Sequence, residues 1–333
     1  MSREFKSCLK CLMSDYIKYK HSCGLKYTSS TATLYYFDTY CFDNAYSKET
    51  LDREITMTFL NKKDKEKMTN ICHKATVLRQ FGYYLRDICK LQNTFIVPCI
   101  PLRGQDSFIP YVFSSDEITR IIHHAQNYES HTPAVLPNII NAISAIITLL
   151  YCTGMRAGEV AQLKVDEVDL ANQLIYINTA KNDNKRMVTI SDSMTKELQR
   201  YVEKSKICSL SNVYFFDAGL PRNDGMIATY TMYHYFRKIL KISNIKHLGK
   251  GKGPRLHDLR TTFCCHSLKK LTTMDIDINA YIVYLSTYLG HKSLRETQDY
   301  VWLTAELFEE TRVKLDTYTI CISNIYQDGF SDD

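Results

Sequence analysis

Proline and glycine are scarce, at 7 and 12 of 333 residues. That scarcity excludes a collagen-like or low-complexity chain and a turn-dense all-β fold, and it makes long helices the default. No window approaches the roughly 18 consecutive apolar residues of a bilayer span. The opening stretch, MSREFKSCLKCLMSDY, lacks an apolar signal core before a small-residue cleavage site. The expectation is a soluble, cytoplasmic protein without a membrane partner. A glycine-rich phosphate loop of the form G-x-x-x-x-G-K-[ST] is missing, as is a carboxylate cluster suited to divalent metals. The stretch GKGKGPR, Gly249 to Arg255, is rich in glycine but has the wrong pattern.

A chain beyond about 250 to 300 residues splits into domains, so two are expected here. The formal charge of +6 is unevenly placed. Residues 1 to 97 hold 16 Lys and Arg against 10 Asp and Glu, residues 98 to 300 hold 24 against 19, and residues 301 to 333 hold 2 against 7. Two basic blocks thus precede an acidic tail. A basic balance suits a polyanion, because each neutralised phosphate releases condensed counterions. The 12 cysteines are scattered through a long chain and read as reduced thiols. Cys8 and Cys11, with His21 and Cys23, can be drawn as four zinc ligands. Their spacing is irregular, however, and cysteines three apart also suit the buried face of a helix.

From Phe5 to Val97 apolar residues recur three and four apart between charged ones, the mark of a small helical domain. VPCIPLRGQDSFIP, Val97 to Pro110, reads as linker punctuation. The expected layout is a helical domain over 1–97, a linker over 98–113, a second domain over 114–304 and a tail over 305–333. Ser114 or Ser115 caps the helix that opens the second domain, with Glu117 in its first turn. The run IINAISAIITLLYCTG, Ile139 to Gly154, predicts a buried helix stopped by Gly154, and another helix starts near Arg156. LIYINTA and RMVTIS flank KNDNK as a β-hairpin with a basic tip carrying Lys181 and Lys185. Helices follow at about 192–205, 229–243, 257–270, 277–289 and 293–302.

Four segments place reactive side chains at helix starts or on turns: TGMRAGE (Thr153 to Glu159), AKNDNKR (Ala180 to Arg186), LHDLR (Leu256 to Arg260) and LGHKSLRETQDY (Leu289 to Tyr300). Between them they offer arginines, lysine, two histidines and a tyrosine. The planar fork of arginine matches phosphate oxygens. Each piece alone has an ordinary reading: a solvated helix start, a solubilising hairpin lysine, a capping histidine, one of 24 tyrosines.

In order, these residues resemble the signature of the tyrosine recombinase, or phage integrase, family: an Arg in a TG-x-R turn, a hairpin Lys, H-x-x-R, and a G-H block followed by the nucleophilic Tyr. Here they are Arg156, Lys181, His257 with Arg260, His291 and Tyr300, with Lys181 25 residues after Arg156 and Tyr300 nine after His291. The resemblance covers about 114 to 303. It implies a mainly α fold with a small β element, in which an amino-terminal helical core-binding domain and a catalytic domain clamp DNA. Two departures stand out. Thr261 follows Arg260 where many relatives have His, and the stretch from Arg260 to His291 is longer than in compact Xer-like members, resembling integrases of bacterial mobile elements.

The resemblance further implies that Tyr300 attacks the scissile phosphate to leave a 3'-phosphotyrosine, and that Arg156 and Arg260 meet the charge of the transition state in place of a metal. No metal and no nucleotide cofactor is then expected. Lys181 protonates the leaving oxygen, with Lys185 as runner-up. His257 and His291 donate to the phosphate, and Glu159 orients neighbouring groups or is a solvated helix carboxylate. Lys250, Lys252 and Arg255 are candidates for backbone phosphate contact. The implied partners are double-stranded DNA carrying specific sites, three further copies in a homotetramer on paired sites, and an excision or host bending factor. The tail docks on its own domain or on a neighbour. Rival readings are DNA relaxation like that of a type IB topoisomerase, and a DNA-binding accessory protein with a decayed site.

Overall fold

The computed structural model describes residues 4–25, 27–61, 66–100, 109–129, 137–178, 185–205, 213–217, 225–247, 253–274 and 278–307. The chain forms two compact units, Met1–Phe108 and Ile109–Asp333. Val97 and Phe113, near the two ends of the stretch read as a linker, are both fully buried, Val97 in the core of the first unit and Phe113 in that of the second.

The described residues of the first unit form the helices α1 (Lys10–Ser22), α2 (Thr28–Asp43), α3 (Arg53–Leu60) and α4 (Met68–Tyr83), the last running into a π turn at Tyr84–Ile88. In α4, Ala75, Leu78 and Phe81 recur at helical spacing and share one core with Leu9, Met13, Tyr16, Leu34 and Phe37. Asp52 caps α3 by accepting from the Glu54 N–H at 2.8 Å. The buried Asp38 accepts from the Ser7 hydroxyl at 2.6 Å and the Lys6 N–H at 2.7 Å, which fastens the entering chain to α2. Cys8 donates through Sγ to the Lys48 carbonyl at 3.2 Å. Among the described residues, no three His, Cys, Asp or Glu side chains gather where they could hold a metal ion.

The second unit opens with α5 (Ser115–Gln126). Its start is the expected capping box: Ser114 Oγ accepts from the Glu117 N–H at 3.1 Å, and Glu117 Oε2 accepts from the Ser114 N–H at 2.9 Å. Helix α6 (Pro137–Thr153) is the central pillar, with Ala142, Ala145, Ile146, Ile147 and Leu149 all fully buried. Gly154 ends it at φ +61°, where an added Cβ would lie 2.6 Å from Phe263 Cδ1. Helix α7 (Ala157–Ala161) follows at once.

The hairpin strands are β2 (Leu174–Ile177) and β3 (Arg186–Thr189), paired antiparallel with Ile177 opposite Arg186. A short outer strand unforeseen in the sequence, β1 (Val168–Asp169), completes the sheet in the order β1-β2-β3. Two residues are too few for alternation to register. Helices α8 (Asp192–Ser205), α9 (Thr229–Ile242), α10 (Asp258–Thr273), α11 (Ile278–Leu289) and α12 (Arg295–Leu307) follow. Helices α10, α11 and α12 pack together through Cys264, Leu268, Ile282, Leu285, Leu289 and Val301. This mainly helical architecture with one small sheet is the fold class expected from the sequence. No helix among the described residues is long and apolar enough to cross a membrane.

Candidate active site

The turn between α11 and α12 is where the second unit gathers its charged side chains. Arg260, in the first turn of α10, is only 2% exposed. It donates from Nη1 to the Gly154 carbonyl at 2.7 Å and from Nη2 to the Leu289 carbonyl at 2.9 Å. Arg156, at the start of α7, reaches the same turn, donating to the carbonyls of Leu289 at 3.5 Å and Gly290 at 3.3 Å. Two guanidinium groups therefore meet at one peptide carbonyl. Burial and the charge of Arg156 both lower the pKa of Arg260, the cost of holding two like charges together in a partly dry place.

Glu159, one turn beyond Arg156, is buried rather than solvated. Its carboxylate accepts from the Arg156 N–H at 2.9 Å and from Arg156 Nη1 at 3.0 Å. It also receives the fork of Arg186, from Nη1 at 3.0 Å and Nη2 at 2.7 Å. Burial pushes the Glu159 carboxyl up, but the hydrogen bonds and charge of Arg186, joined by those of Arg156, outweigh it and leave the pKa below its ordinary value. Arg186 also donates from Nε to the Tyr288 carbonyl at 2.8 Å. Two guanidinium groups thus share one carboxylate, and with Arg260 beside the same turn the positive charges outnumber the negative one.

His291 follows that turn. Its Nε2 lies 2.8 Å from Arg260 Nη2 and its Nδ1 2.8 Å from Thr297 Oγ1. An arginine nitrogen can only donate, so Nε2 offers its lone pair and Nδ1 carries the proton. In this arrangement both ring nitrogens are engaged within the protein, and neither is turned to an outside phosphate. Burial first, then Arg260, Arg156, Arg186 and His257, push the ring down to about 3, which keeps it neutral near pH 7. His257, at the start of α10, keeps an open face to solvent. The protein behind it and the charges of Arg260, Arg255 and Arg156 lower it to about 4.

Tyr300 lies on α12 in the same chain, its ring stacked on His291 with centroids 5.9 Å apart and planes at 22°. Burial and the neighbouring Cys264 raise its pKa to about 12, while the charge and hydrogen bond of Arg260 pull it back. The phenol is protonated at neutral pH and needs a base to become a nucleophile.

Arg156, Arg260, His291 and Tyr300 are thus brought together, with His257 at their edge and Glu159 beneath. Lys181, Lys250 and Lys252 lie outside the described residues. Lys185 is exposed where β3 begins. Arg255 turns toward the buried Asp258, with its N–H 2.7 Å from Oδ2 and its Nη2 3.6 Å from Oδ1. Sequence reasoning gave no role to Arg186 or Thr297. A signal for Arg186 was present, since it shares a strand face with Val188 and Ile190. A charged residue on a buried face calls for a partner.

The model of the phage integrase family matches residues 112–306, more than half of the chain. The chain belongs to the phage integrase family. It is a tyrosine recombinase, of the enzymes that cut and rejoin DNA in site-specific recombination. The putative integrase/recombinase y4rB of Sinorhizobium fredii is 23% identical over 91% of this chain and 96% of its own. The tyrosine recombinase XerA of Saccharolobus solfataricus is 29% identical over 78% of this chain and 75% of its own. Solved structures share the recombinase fold. The XerH site-specific recombinase bound to palindromic difH substrate aligns with a TM-score of 0.60 at 17% identity, covering 86% of this chain and 78% of that one. The Tn1549 transposon integrase in complex with transposon right end DNA aligns with a TM-score of 0.59 at 15% identity, covering 89% and 94%.

Proposed function

We propose that the protein recombines DNA at specific sites through a covalent 3'-phosphotyrosine on Tyr300, serving the integration or excision of a mobile element. The observation that carries this reading is the contact chain Tyr300, His291, Arg260. The ring stacked on His291 is, in the same chain, that of the residue whose spacing marks it as nucleophile.

In the reaction, the Tyr300 oxygen attacks phosphorus as its proton passes to a neutral imidazole, for which His257, open to solvent at the edge of the cluster, is the candidate. The bond from phosphorus to the 5'-oxygen breaks, and Lys181 supplies the proton that the leaving oxygen needs, with Lys185 as the alternate donor. Arg156 and Arg260 exchange their carbonyl partners for the non-bridging oxygens, whose charge is greatest in the transition state. Rejoining runs the same steps backwards with a 5'-hydroxyl from another strand, giving a Holliday junction. Glu159 sets Arg156 in place, and Arg255, Lys250 and Lys252 meet the backbone.

The helical domain expected over residues 1–97 holds the duplex together with the catalytic domain. Four copies act on two paired sites in the cytoplasm, the tail from residue 305 docking on a neighbour, with an excision or bending factor setting direction. A relative whose fold is shared is a lambda integrase tetramer bound to a Holliday junction, at a TM-score of 0.55. Incubating the protein with a nicked suicide substrate tests the reading. The wild type is expected to give a protein–DNA adduct and Tyr300→Phe none, with DNA binding equal in the two. Adduct formation by the Phe variant overturns the assignment of Tyr300. Relaxation of any supercoiled plasmid, without joining of plasmids that carry a specific site, overturns recombination in favour of topoisomerase action.

A further inference from the structure

We propose that Thr297 is a positioning residue for cleavage: its hydroxyl fixes the ring of His291 and couples the helix that carries Tyr300 to Arg260. The inference rests on the reading of Tyr300 and His291 given above, and it concerns a residue that touches neither phosphate nor nucleophile.

Thr297 is fully buried and lies on α12, one turn before Tyr300. Its Oγ1 is 2.8 Å from His291 Nδ1. The opposite edge of the ring takes a hydrogen from Arg260 Nη2 at 2.8 Å, and the ring face is stacked on Tyr300. The imidazole is therefore held on three sides, and two of the three holds come from α12. A displacement of that helix cannot leave His291 or Arg260 where they are. An imidazole is oriented, and its tautomer chosen, by whatever binds its second nitrogen.

A threonine at this point does what a carbonyl or an ammonium cannot, because a hydroxyl both donates and accepts. Without DNA, Nδ1–H donates to Oγ1 while Nε2 accepts from Arg260. When a phosphate oxygen draws the Arg260 N–H away, His291 serves that phosphate only as an Nε2–H donor. The change moves one proton from Nδ1 to water and one proton from water to Nε2, leaving the ring neutral. The Thr297 hydroxyl then rotates to donate to Nδ1. The ring keeps its place through the exchange, with no buried nitrogen left unpaired.

The experiment compares Thr297→Val, which keeps the shape and removes the hydroxyl, with Thr297→Ser, which keeps the hydroxyl. In protein labelled with 15N in histidine, the DNA-free wild type and the Ser variant should show His291 protonated at Nδ1 with that proton protected from exchange with water, and the Val variant, its Nδ1–H left without an acceptor, should lose the protection. Single-turnover cleavage of a nicked substrate should fall about 10- to 100-fold in the Val variant, the range for loss of an orienting partner, with DNA affinity unchanged and the rate restored by Ser. Equal loss in both variants would reduce Thr297 to packing. A wild-type spectrum with the proton on Nε2 overturns the proposal directly, even if no valine variant folds. The spectra need no cleavage, so failure of the Tyr300 assignment, seen as adducts formed by Tyr300→Phe, remains distinguishable from failure here.

Discussion

Both oxygens of Glu159 are taken by Arg186, at 3.0 and 2.7 Å, across 27 residues of sequence. This pair joins the first residue of β3 to α7, the helix that Arg156 opens. The hairpin and Arg156 are thereby set in one frame. A buried carboxylate is tolerable only because Arg186 and Arg156 together fill its lone pairs.

Removing Arg186 leaves that carboxylate underpaired. Arg186→Ala is expected to cost about 3 to 5 kcal/mol of stability, the usual penalty for breaking one side of a buried pair. Arg186→Lys should recover little, since an ammonium cannot reproduce two parallel N–H bonds together with the third to the Tyr288 carbonyl. Urea unfolding of the full chain measures both, and a wild-type midpoint for Arg186→Ala would show that the pair contributes nothing.

Acid should weaken the fold in two overlapping windows with different upper ends. His291 has a folded pKa near 3 against an ordinary 6.5, so between those values the unfolded chain binds the proton first, and stability falls as pH drops below 6.5. The Glu159 carboxyl is held below its ordinary 4.5, so its contribution is complete above that value and is lost as pH falls through the lower folded one. His291→Gln should flatten the stability curve from pH 6.5 down to about 3, and Glu159→Gln should flatten it only below 4.5. Unfolding midpoints recorded from pH 7 to 3 should separate the two, and unchanged slopes in both variants would contradict the directions given.

Gly290 is pinned from two sides. Its φ of +65° is a left-handed conformation, and an added Cβ would stand 2.9 Å from Arg186 Nη1. The guanidinium is not free to give way, because Glu159 and the Tyr288 carbonyl hold it. Gly290→Ala should cost about 1 to 2 kcal/mol from the backbone alone, and more from the collision. A double variant with Arg186→Ala should then lose less than the sum of the two, because the collision partner is gone. Strict additivity would show that Arg186 and Gly290 do not press on each other.

Much of this frame was legible in the sequence. The Ser114 and Glu117 box, the apolar run halted at Gly154 and the hairpin strands are local, and local chemistry reads out in order along the chain. The spacing of Arg156, Arg260, His291 and Tyr300 named a set that the fold does gather. What spacing cannot carry is the pairing between distant segments. Arg260 meets Gly154 from 106 positions away, and Glu159 meets Arg186 only because β3 passes α7. The buried state of Glu159 and the engagement of both His291 nitrogens follow from those tertiary contacts, and periodicity along one element does not reveal them.

The donor to the leaving oxygen is the role with two candidates, Lys181 and Lys185, and leaving-group chemistry separates them. An alkoxide is a poor leaving group because its conjugate acid is weak, about 15.7 for water, whereas a thiol ionises near 8.5. A substrate with sulfur in place of the bridging 5'-oxygen therefore departs without a proton. If Lys181 is the acid, Lys181→Ala should slow cleavage of the oxygen substrate by about 10² to 10⁴ and leave cleavage of the sulfur substrate near wild type. Lys185→Ala should change both substrates alike and little, its exposed ammonium serving the backbone instead. Rescue of Lys185→Ala by sulfur, with none for Lys181→Ala, would exchange the two roles. Equal slowing of Lys181→Ala on both substrates would mean that the lysine binds phosphate charge and transfers no proton, since a contact to a non-bridging oxygen is indifferent to which atom leaves.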